Sequence, residues 1–183
     1  MFSIDLADDA RLFPLEPRHA EEFFAHLERG RDFIGQYVAF PDRCPDPESA
    51  RTFLATYALK AAEDGARFFG IRLDGTLVGG VLFPVFDAQA GNCEIGCWLE
   101  PAAAGRGLVT KACRVLIDYA FGERGMRRVE WRAASRNEKS LAVAERLGMT
   151  REGVLRQNRL HRGVLLDTEI WSILAPEWSA SRA

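Results

Sequence analysis

The segment 102–110 contains the residue types that could bind an anion. It reads Ala-Ala-Ala-Gly-Arg-Gly-Leu-Val-Thr, follows the strand-like run 93–99 and precedes the amphipathic run 111–121. Backbone N–H groups at a helix N-terminus have no partner within the helix, and the helix dipole adds a partial positive charge there. Gly105 and Gly107 let the backbone approach a phosphate group without an intervening Cβ atom. The segment is therefore a candidate phosphate-binding loop, and an ordinary strand-to-helix turn is the alternative.

The pattern around this loop predicts one mixed α/β domain over residues 1–183, with a core at about 12–174. Strands are predicted at 12–15, 67–73, 76–86, 93–99, 128–133, 150–155 and 165–174, and helices at 17–29, 47–63, 111–121 and 138–147. Asp46 before Pro47 is typical of a helix start, and Asp74-Gly75 indicates a hairpin. The segment 31–45 has no clean period and is expected to be a loop or a broken helix, and 179–183 is expected to be frayed.

Composition excludes several classes of protein. The net charge is −2 without a basic run, which argues against nucleic acid as a partner. The chain has no apolar run of transmembrane length and no signal-peptide pattern at its N-terminus, so we expect no membrane partner and a cytoplasmic location. No Cys-x-x-Cys pair occurs, and the histidines are scattered, so we expect free thiols and no metal site. The residues concerned are Cys44, Cys93, Cys97, Cys113, His19, His26 and His161.

A second group of motifs lies downstream of the loop. Asn137-Glu138-Lys139-Ser140 opens a predicted helix, and Gly148-Met149-Thr150-Arg151-Glu152-Gly153 follows it. With Gly105-x-Gly107, and with Asp167 at a further recurrent acidic position, the chain resembles the GCN5-related N-acetyltransferase (GNAT) superfamily. Within it, the chain resembles the ribosomal-protein N-terminal acetyltransferases of the RimJ/RimL type, over about 12–174. It departs from the family pattern at Ala102, where Gln or Arg is usual, and at Met149, where Phe is usual.

The resemblance implies an α/β (α+β) fold with a mixed, mostly antiparallel sheet of about seven strands, a splayed central strand pair and about four flanking helices. It also implies acetyl-CoA as co-substrate, without a metal. The residues expected to contact acetyl-CoA lie on the strand before the loop, on the loop and at the next helix start: Trp98, Leu99, Ala104, Gly105, Arg106, Gly107, Leu108, Val109, Thr110, Asn137 and Ser140. A backbone N–H near Trp98 or Leu99 would polarise the thioester carbonyl.

Two residues are candidates for the proton transfers. Ser140 is expected to give a hydrogen bond or a relayed proton to the leaving thiolate, because Ala144 stands where many superfamily members carry a tyrosine. A serine that only bonds backbone at a helix start is the alternative. Glu94 is the candidate base acting through water, with Asp87 and His161 as fallbacks. An α-amine with a pKa of about 8 could also react without a dedicated base.

The acceptor is expected to lie against the first two helices, the 31–45 segment and the 157–162 loop. The candidate contacts are Phe33, Tyr37, Phe40, Asn158 and His161. Acetylation of a protein or peptide N-terminal α-amine is the leading hypothesis. The alternatives are a small-molecule amine, such as an aminoglycoside, a polyamine or an antibiotic, and a non-catalytic acyl-CoA-binding module. The resemblance and the aromatic residues of 31–45 are also compatible with a homodimer.

Overall fold

One mixed sheet organises residues 3–181, the part of the chain that this computed structural model describes. The strands are β1 (Ile4–Ala7), β2 (Ala10–Pro14), β3 (Arg67–Leu73), β4 (Thr76–Asp87), β5 (Asn92–Leu99), β6 (Arg128–Ala134), β7 (Thr150–His161) and β8 (Val164–Leu174). The helices are α1 (Ala20–Ile34), α2 (Phe40–Arg43), α3 (Pro47–Ala62), α4 (Leu108–Asp118), α5 (Glu138–Arg146) and α6 (Ala175–Ala180). The eight strands follow the order β1-β2-β3-β4-β5-β6-β8-β7. The predicted mixed α/β fold is confirmed, with one strand more than predicted.

The centre of the sheet is hydrogen-bonded along only part of its length. Neighbouring strands are antiparallel except β5 and β6, which run parallel. Their pairing starts at Asn92 opposite Arg128 and ends at Ile95 opposite Trp131, although both strands continue. Residues 96–99 therefore pair with β4 and part from β6. This opening is the predicted splay of the central strand pair.

Helices cover both faces of the sheet and bury an apolar core on each. One core lies beneath α4 and α5, where Leu116 and Trp131 are buried. The other lies beneath α1 and α3 and is built largely from aromatic rings: Phe23, Phe40, Phe53, Phe68 and Trp98. Phe68 and Trp98 stack with ring centroids 4.5 Å apart. Because β5 contributes to both cores, packing from two sides fixes the strand that borders the opening.

Local sequence signals account for the turns that the structure confirms. The Asp46 carboxylate accepts a hydrogen bond of 2.7 Å from the backbone N–H of Ser49 at the start of α3. Asp74 and Gly75 have φ values of +49° and +77°, which are the left-handed conformations that a tight hairpin turn requires. The predicted helix start and hairpin therefore have the expected physical basis.

Several boundaries differ from the prediction. Helix α1 continues through Gly30, where we expected it to end. A Cβ atom at Gly30 would lie 2.7 Å from Cδ1 of Ile34, so this glycine permits close packing inside the helix. The short edge strand β1 was not predicted. The extension of β7 to His161 was not predicted either, because most residues of β7 are exposed and show no alternation of burial. The tail expected to fray begins inside α6, whose Trp178 is buried, and residues 182–183 lie outside the described part.

Candidate active site

A cavity of about 800 Å³ opens where β5 and β6 part. Its walls are the end of β5, the loop before α4, the start of α5 and the segment after α1. All but one of the residues predicted to contact acetyl-CoA line this cavity, the exception being Arg106. The lining residues are Trp98, Leu99, Ala104, Gly105, Gly107, Leu108, Val109, Thr110, Asn137 and Ser140. The fold therefore brings the strand, the loop and the second helix of the sequence pattern to one place.

The loop before α4 has a left-handed backbone conformation at both of its glycines. Gly105 and Gly107 have φ values of +82° and +72°, in the region that favours glycine. A Cβ atom at either position would meet no heavy atom within 4 Å, so both residues are needed for their backbone angles and not for space within the protein. The carbonyl of Gly107 accepts from the N–H of Lys111 at 3.0 Å and starts the helix. The N–H groups of 108–110 therefore have no partner within α4.

Three cationic side chains at the cavity were missed in the sequence analysis. Arg136 precedes α5, and Lys139 and Arg146 lie on it, spaced so that both reach one side of the helix. That spacing was a readable signal. Arg106, which we expected to contact the ligand, instead forms an ion pair of 2.5 Å with Asp9 outside the cavity lining. The positive charge at the cavity comes from α5 and the residue Arg136 before it, rather than from the loop.

The register of β4 and β5 shows which backbone groups face the opening. The N–H of Glu100 donates to the carbonyl of Val78 on the β4 side at 2.8 Å. Hydrogen-bonding direction alternates along a strand, so Trp98 also bonds towards β4. Leu99 and Cys97 consequently direct their N–H groups to the opposite side, where β6 has parted. Of the two donors that the sequence suggested, the one that faces the opening is Leu99.

Trp98 is held by a buried chain of hydrogen bonds that the sequence did not reveal. Its Nε1 donates to Nε2 of His26 at 2.9 Å, and Nδ1 of His26 lies 2.5 Å from Oε1 of Glu100. An indole N–H can only donate, so Nε2 of His26 accepts and Nδ1 carries the proton. Arg29 reaches the same Glu100 oxygen at 2.8 Å. Burial lowers the pKa of His26, although the hydrogen bond that His26 donates to Glu100 opposes this by raising it.

Asn137 and Ser140 are fixed at the N-terminus of α5. The side-chain oxygen of Asn137 accepts from the backbone N–H of Ser140 at 3.2 Å, so Asn137 caps the helix. The hydroxyl of Ser140 accepts from Nε1 of Trp131 at 3.1 Å. Trp131 is almost fully buried. Both residues line the cavity, and the serine hydroxyl keeps its own proton available as a donor.

Glu94 lies near the opening but does not line the cavity. It occupies the β5 position before Ile95, where pairing with β6 ends. Its carboxylate lies 3.7 Å from Nε of Arg132 and is 22% exposed. Burial raises the pKa of Glu94, although the charge of Arg132 opposes the shift. A carboxyl group with a raised pKa is suited to accept a proton.

The predicted acceptor contacts of the 31–45 segment separate into two groups. Phe33 and Tyr37 line the cavity, and the Tyr37 hydroxyl donates to the carbonyl of Arg136 at 3.0 Å. Phe40 instead lies in the aromatic core with 8% of its surface exposed. The segment lacked a clean period because it contains the end of α1, a turn and the single turn of α2. Its aromatics therefore could not be sorted into core and wall from the sequence.

The predicted acceptor contacts of the β7–β8 hairpin also lie outside the cavity lining. Asn158 is an exposed residue of β7. Nε2 of His161 lies 2.8 Å from the carbonyl of Gly35, so this ring joins the hairpin to the end of α1. Beside it, both Nε and Nη2 of Arg162 bond the carboxylate of Asp42, at 2.9 and 2.6 Å. The hairpin is thus tied over the sheet face that α1 and α2 cover.

Within 3–181, no group of three or more His, Cys, Asp or Glu side chains is arranged to hold a metal ion. No helix in that part of the chain is both long and apolar enough to cross a membrane. Its cysteines, Cys44, Cys93, Cys97 and Cys113, are free thiols.

Comparison with known proteins identifies relatives of this arrangement. Residues 10–150 match the family model of the acetyltransferase (GNAT) domain. The chain is 32% identical over 186 residues to the putative ribosomal N-acetyltransferase YdaF of Bacillus subtilis (strain 168), and the alignment covers 100% of both chains.

Solved structures share the same architecture. The microcin C7 self-immunity acetyltransferase MccE, solved with acetyl-CoA and AMP, aligns with a TM-score of 0.87 at 27% identity, covering 93% of this chain and 95% of MccE. RimL, a ribosomal L7/L12 α-N-protein acetyltransferase solved with coenzyme A, aligns with a TM-score of 0.89 at 19% identity, covering 94% and 97%. The likeness to RimL is one of fold.

Proposed function

We infer that this chain, which belongs to the GNAT acetyltransferase family, transfers the acetyl group of acetyl-CoA to the α-amine at a protein N-terminus. Family membership establishes the N-acetyltransferase class. The choice of a protein N-terminus is supported by the full-length similarity to a putative ribosomal N-acetyltransferase. One observation of the structure carries the catalytic part: the open N–H of Leu99, the free helix start at Gly107 and the hydroxyl of Ser140 border a single cavity.

The cavity has the properties that acetyl-CoA needs. The backbone N–H groups at the start of α4 would bind the pyrophosphate, aided by the helix dipole. Arg136, Lys139 and Arg146 would attract the remaining phosphate charge. The open edge of β5 would pair with the amides of the pantetheine arm, as an added strand does. Asn137 caps α5 through its side-chain oxygen, which leaves its amide N–H₂ group to donate to the pantetheine arm.

The reaction follows from the groups around the splay. The neutral amine attacks the thioester carbonyl carbon, and the negative charge that develops on the carbonyl oxygen is stabilised by the N–H of Leu99. A C–N bond forms, the C–S bond breaks and the electron pair leaves with sulfur. The amine proton passes to Glu94 through water, since Glu94 lies outside the cavity lining. Ser140 donates a hydrogen bond to the departing thiolate, or relays a proton to it from water.

Acetyl transfer to defined acceptors tests the proposal. The protein is incubated with acetyl-CoA and peptides that differ only in having a free or a formylated α-amine, each also containing one lysine. Thiol release measures turnover, and mass spectrometry locates the acetyl group. We expect acetylation of the free α-amine only. Modification of lysine, or of a polyamine or aminoglycoside in place of the peptides, would reject the protein N-terminus as acceptor. Tight acetyl-CoA binding without turnover on any amine would indicate a binding module.

A further inference from the structure

Arg159 on β7 has a guanidinium edge without hydrogen-bond partners in the described part of the chain. Its Nε and Nη2 atoms are buried, and neither has a hydrogen-bond partner among residues 3–181. Burial lowers the pKa of Arg159, and Glu94 is the acidic group that opposes this effect. Buried guanidinium donors are nearly always paired, since an unpaired one costs stability. A ligand that supplies acceptor atoms would remove this cost.

Glu94 is under-partnered in the same region. Its one ion pair among the described residues is the 3.7 Å contact with Arg132, which also bonds Glu130 at 3.0 Å. Arg159 contributes to lowering the pKa of Glu94, although burial raises it overall. An incompletely bonded carboxylate and an incompletely bonded guanidinium therefore lie within electrostatic reach of each other. Each retains capacity to bind a further group.

The strand register places these side chains on one face of the sheet, because directly paired residues point to the same side. Glu94 lies opposite Glu130, and Glu130 lies opposite Ser172. From Ser172, steps of two along β8 lead to Leu166, which lies opposite Arg159. We call this side the acceptor face. It is the face that α1 and α3 cover, because Trp98 lies four positions from Glu94 on β5, an even spacing that puts both on one side, and belongs to their core.

The β7–β8 hairpin is irregular immediately before Arg159. The β7–β8 pairing is irregular between Leu155 and Arg159, and Gln157 has a φ of +52° there. Beyond the bend, His161 contacts the end of α1 and Arg162 pairs with Asp42. The end of the hairpin thus lies over the acceptor face. Thr168, 6% exposed and on the same face, has a hydroxyl oxygen without a partner among residues 3–181, which adds a second unsatisfied group.

We propose that Arg159 turns its Nε–Nη2 edge, which is buried in the free protein, to a carboxylate of the acceptor, while the acceptor amine is directed towards Glu94. The inference rests on the proposed acetyl transfer and specifies the acceptor class. Nε and one Nη of a guanidinium form a planar fork that matches the two oxygens of a carboxylate. Arg159 and Glu94 together would then recognise an acceptor with an amine and a nearby carboxylate. That carboxylate has two sources, an acidic side chain next to the N-terminal residue or the α-carboxylate of a free amino acid.

Matched acceptor pairs separate these sources. The first pair is two C-terminally amidated peptides that begin Ser-Asp and Ser-Asn, and the second is serine and serinamide. Turnover is measured with acetyl-CoA as kcat/KM, and binding to the CoA-loaded protein is measured by calorimetry. We expect the carboxylate member of one pair to be favoured roughly 10-fold to 100-fold, as for a hydrogen-bonded charged group. Equal kcat/KM and equal binding within both pairs would overturn the proposal.

Variants assign the preference to Arg159. Arg159→Met should abolish the preference and raise the melting temperature of the free protein, because the unsatisfied charge is removed. Arg156→Met, at an exposed position of the same strand, should leave the preference intact. Arg159→Lys keeps the charge without the fork and should retain only part of the preference, which provides a second variant if Arg159→Met does not fold. A full preference in a folded Arg159→Met protein would refute the assignment.

The outcomes also separate this inference from the proposed function. Equal acetylation of both peptides, with no preference for serine over serinamide, retains the protein N-terminus as acceptor and rejects the carboxylate site. If serine is acetylated and neither serinamide nor either peptide is, the carboxylate site is retained and the protein N-terminus is rejected as acceptor. If no acceptor turns over, the calorimetric comparison within each pair still decides whether a carboxylate is recognised.

Discussion

Nε1 of Trp131 donates a hydrogen bond of 3.1 Å to Oγ of Ser140, and this contact determines what the serine can do. A serine hydroxyl has one proton and two lone pairs, whereas an indole nitrogen can only donate. The contact therefore occupies a lone pair of Ser140 and leaves its proton for another acceptor. Because Trp131 lies on β6 at the point where pairing with β5 ends, the sheet itself positions the hydroxyl beside the opening.

We expect Ser140→Ala to lower kcat by about 100-fold, with little change in KM for acetyl-CoA, since a donor to the leaving thiolate acts mainly in the transition state. Trp131→Phe should lower kcat by about fivefold, the effect of one neutral hydrogen bond. In the double variant, Trp131→Phe should add nothing further. The matched control is Trp171→Phe, which removes an indole bond of 3.1 Å to Glu169. If Trp131→Phe and Trp171→Phe have the same kcat, the catalytic role of the Ser140 hydroxyl does not depend on its hydrogen bond with Trp131.

The loop before α4 gives a prediction about binding. Gly107→Ala should reduce acetyl-CoA affinity about tenfold or more, because a Cβ enters the approach of the phosphate and the left-handed φ of +72° is strained for alanine. Stability should fall by about 1 kcal/mol. Gly75→Ala is the control, since Gly75 has a φ of +77° and equally open surroundings, and lies in the β3–β4 hairpin rather than in the loop before α4. It should lose the same stability and no affinity. Equal affinities in the two variants would contradict the loop assignment.

Glu94 gives a prediction about the pH dependence of turnover. Burial raises its pKa above the ordinary value of 4.5, and a base must be deprotonated to act. Activity should therefore fall on the acid side at a higher pH than for an ordinary glutamate. Glu94→Gln should remove this acid limb and lower kcat/KM by about 100-fold. Glu130→Gln removes the neighbouring carboxylate that helps to raise the pKa of Glu94, so its acid limb should move to lower pH. An unchanged limb in Glu94→Gln would assign the base elsewhere.

The chain from Trp98 through His26 to Glu100 gives a prediction about stability. Because burial lowers the pKa of His26 below its ordinary value of 6.5, the unfolded chain binds this proton more readily than the folded protein. The contribution of His26 to stability is therefore complete above pH 6.5 and is lost as the pH falls through its lowered pKa. Denaturant unfolding should show a smaller loss of stability on acidification in His26→Gln, whose amide can accept from Trp98 and donate to Glu100 without titrating. Parallel curves for both proteins would contradict this account.

Local patterns in the sequence were sufficient for seven of the eight strands and for the positions of two motifs. Gly107 and the helix start at Asn137 lie where the motifs placed them, because turn conformations and caps depend on residues a few positions apart. The predicted end of α1 at Gly30 was wrong, since the role of this glycine depends on contacts made across the fold. The predicted length of β7 was also wrong, because a largely exposed strand shows no alternation of burial.

The sequence by itself determined the order of seven strands and four helices, the glycine loop before α4 and the family, because each depends on periodicity or on closely spaced motifs. Tertiary structure decided which donor faces the opening, that Phe40 belongs to the core, and that Arg106 pairs with Asp9. It also brought together Trp98 and His26, which are 72 positions apart, and placed Arg159 within electrostatic reach of Glu94. Such relationships depend on strand register and on the bend of a hairpin, which a one-dimensional pattern does not encode.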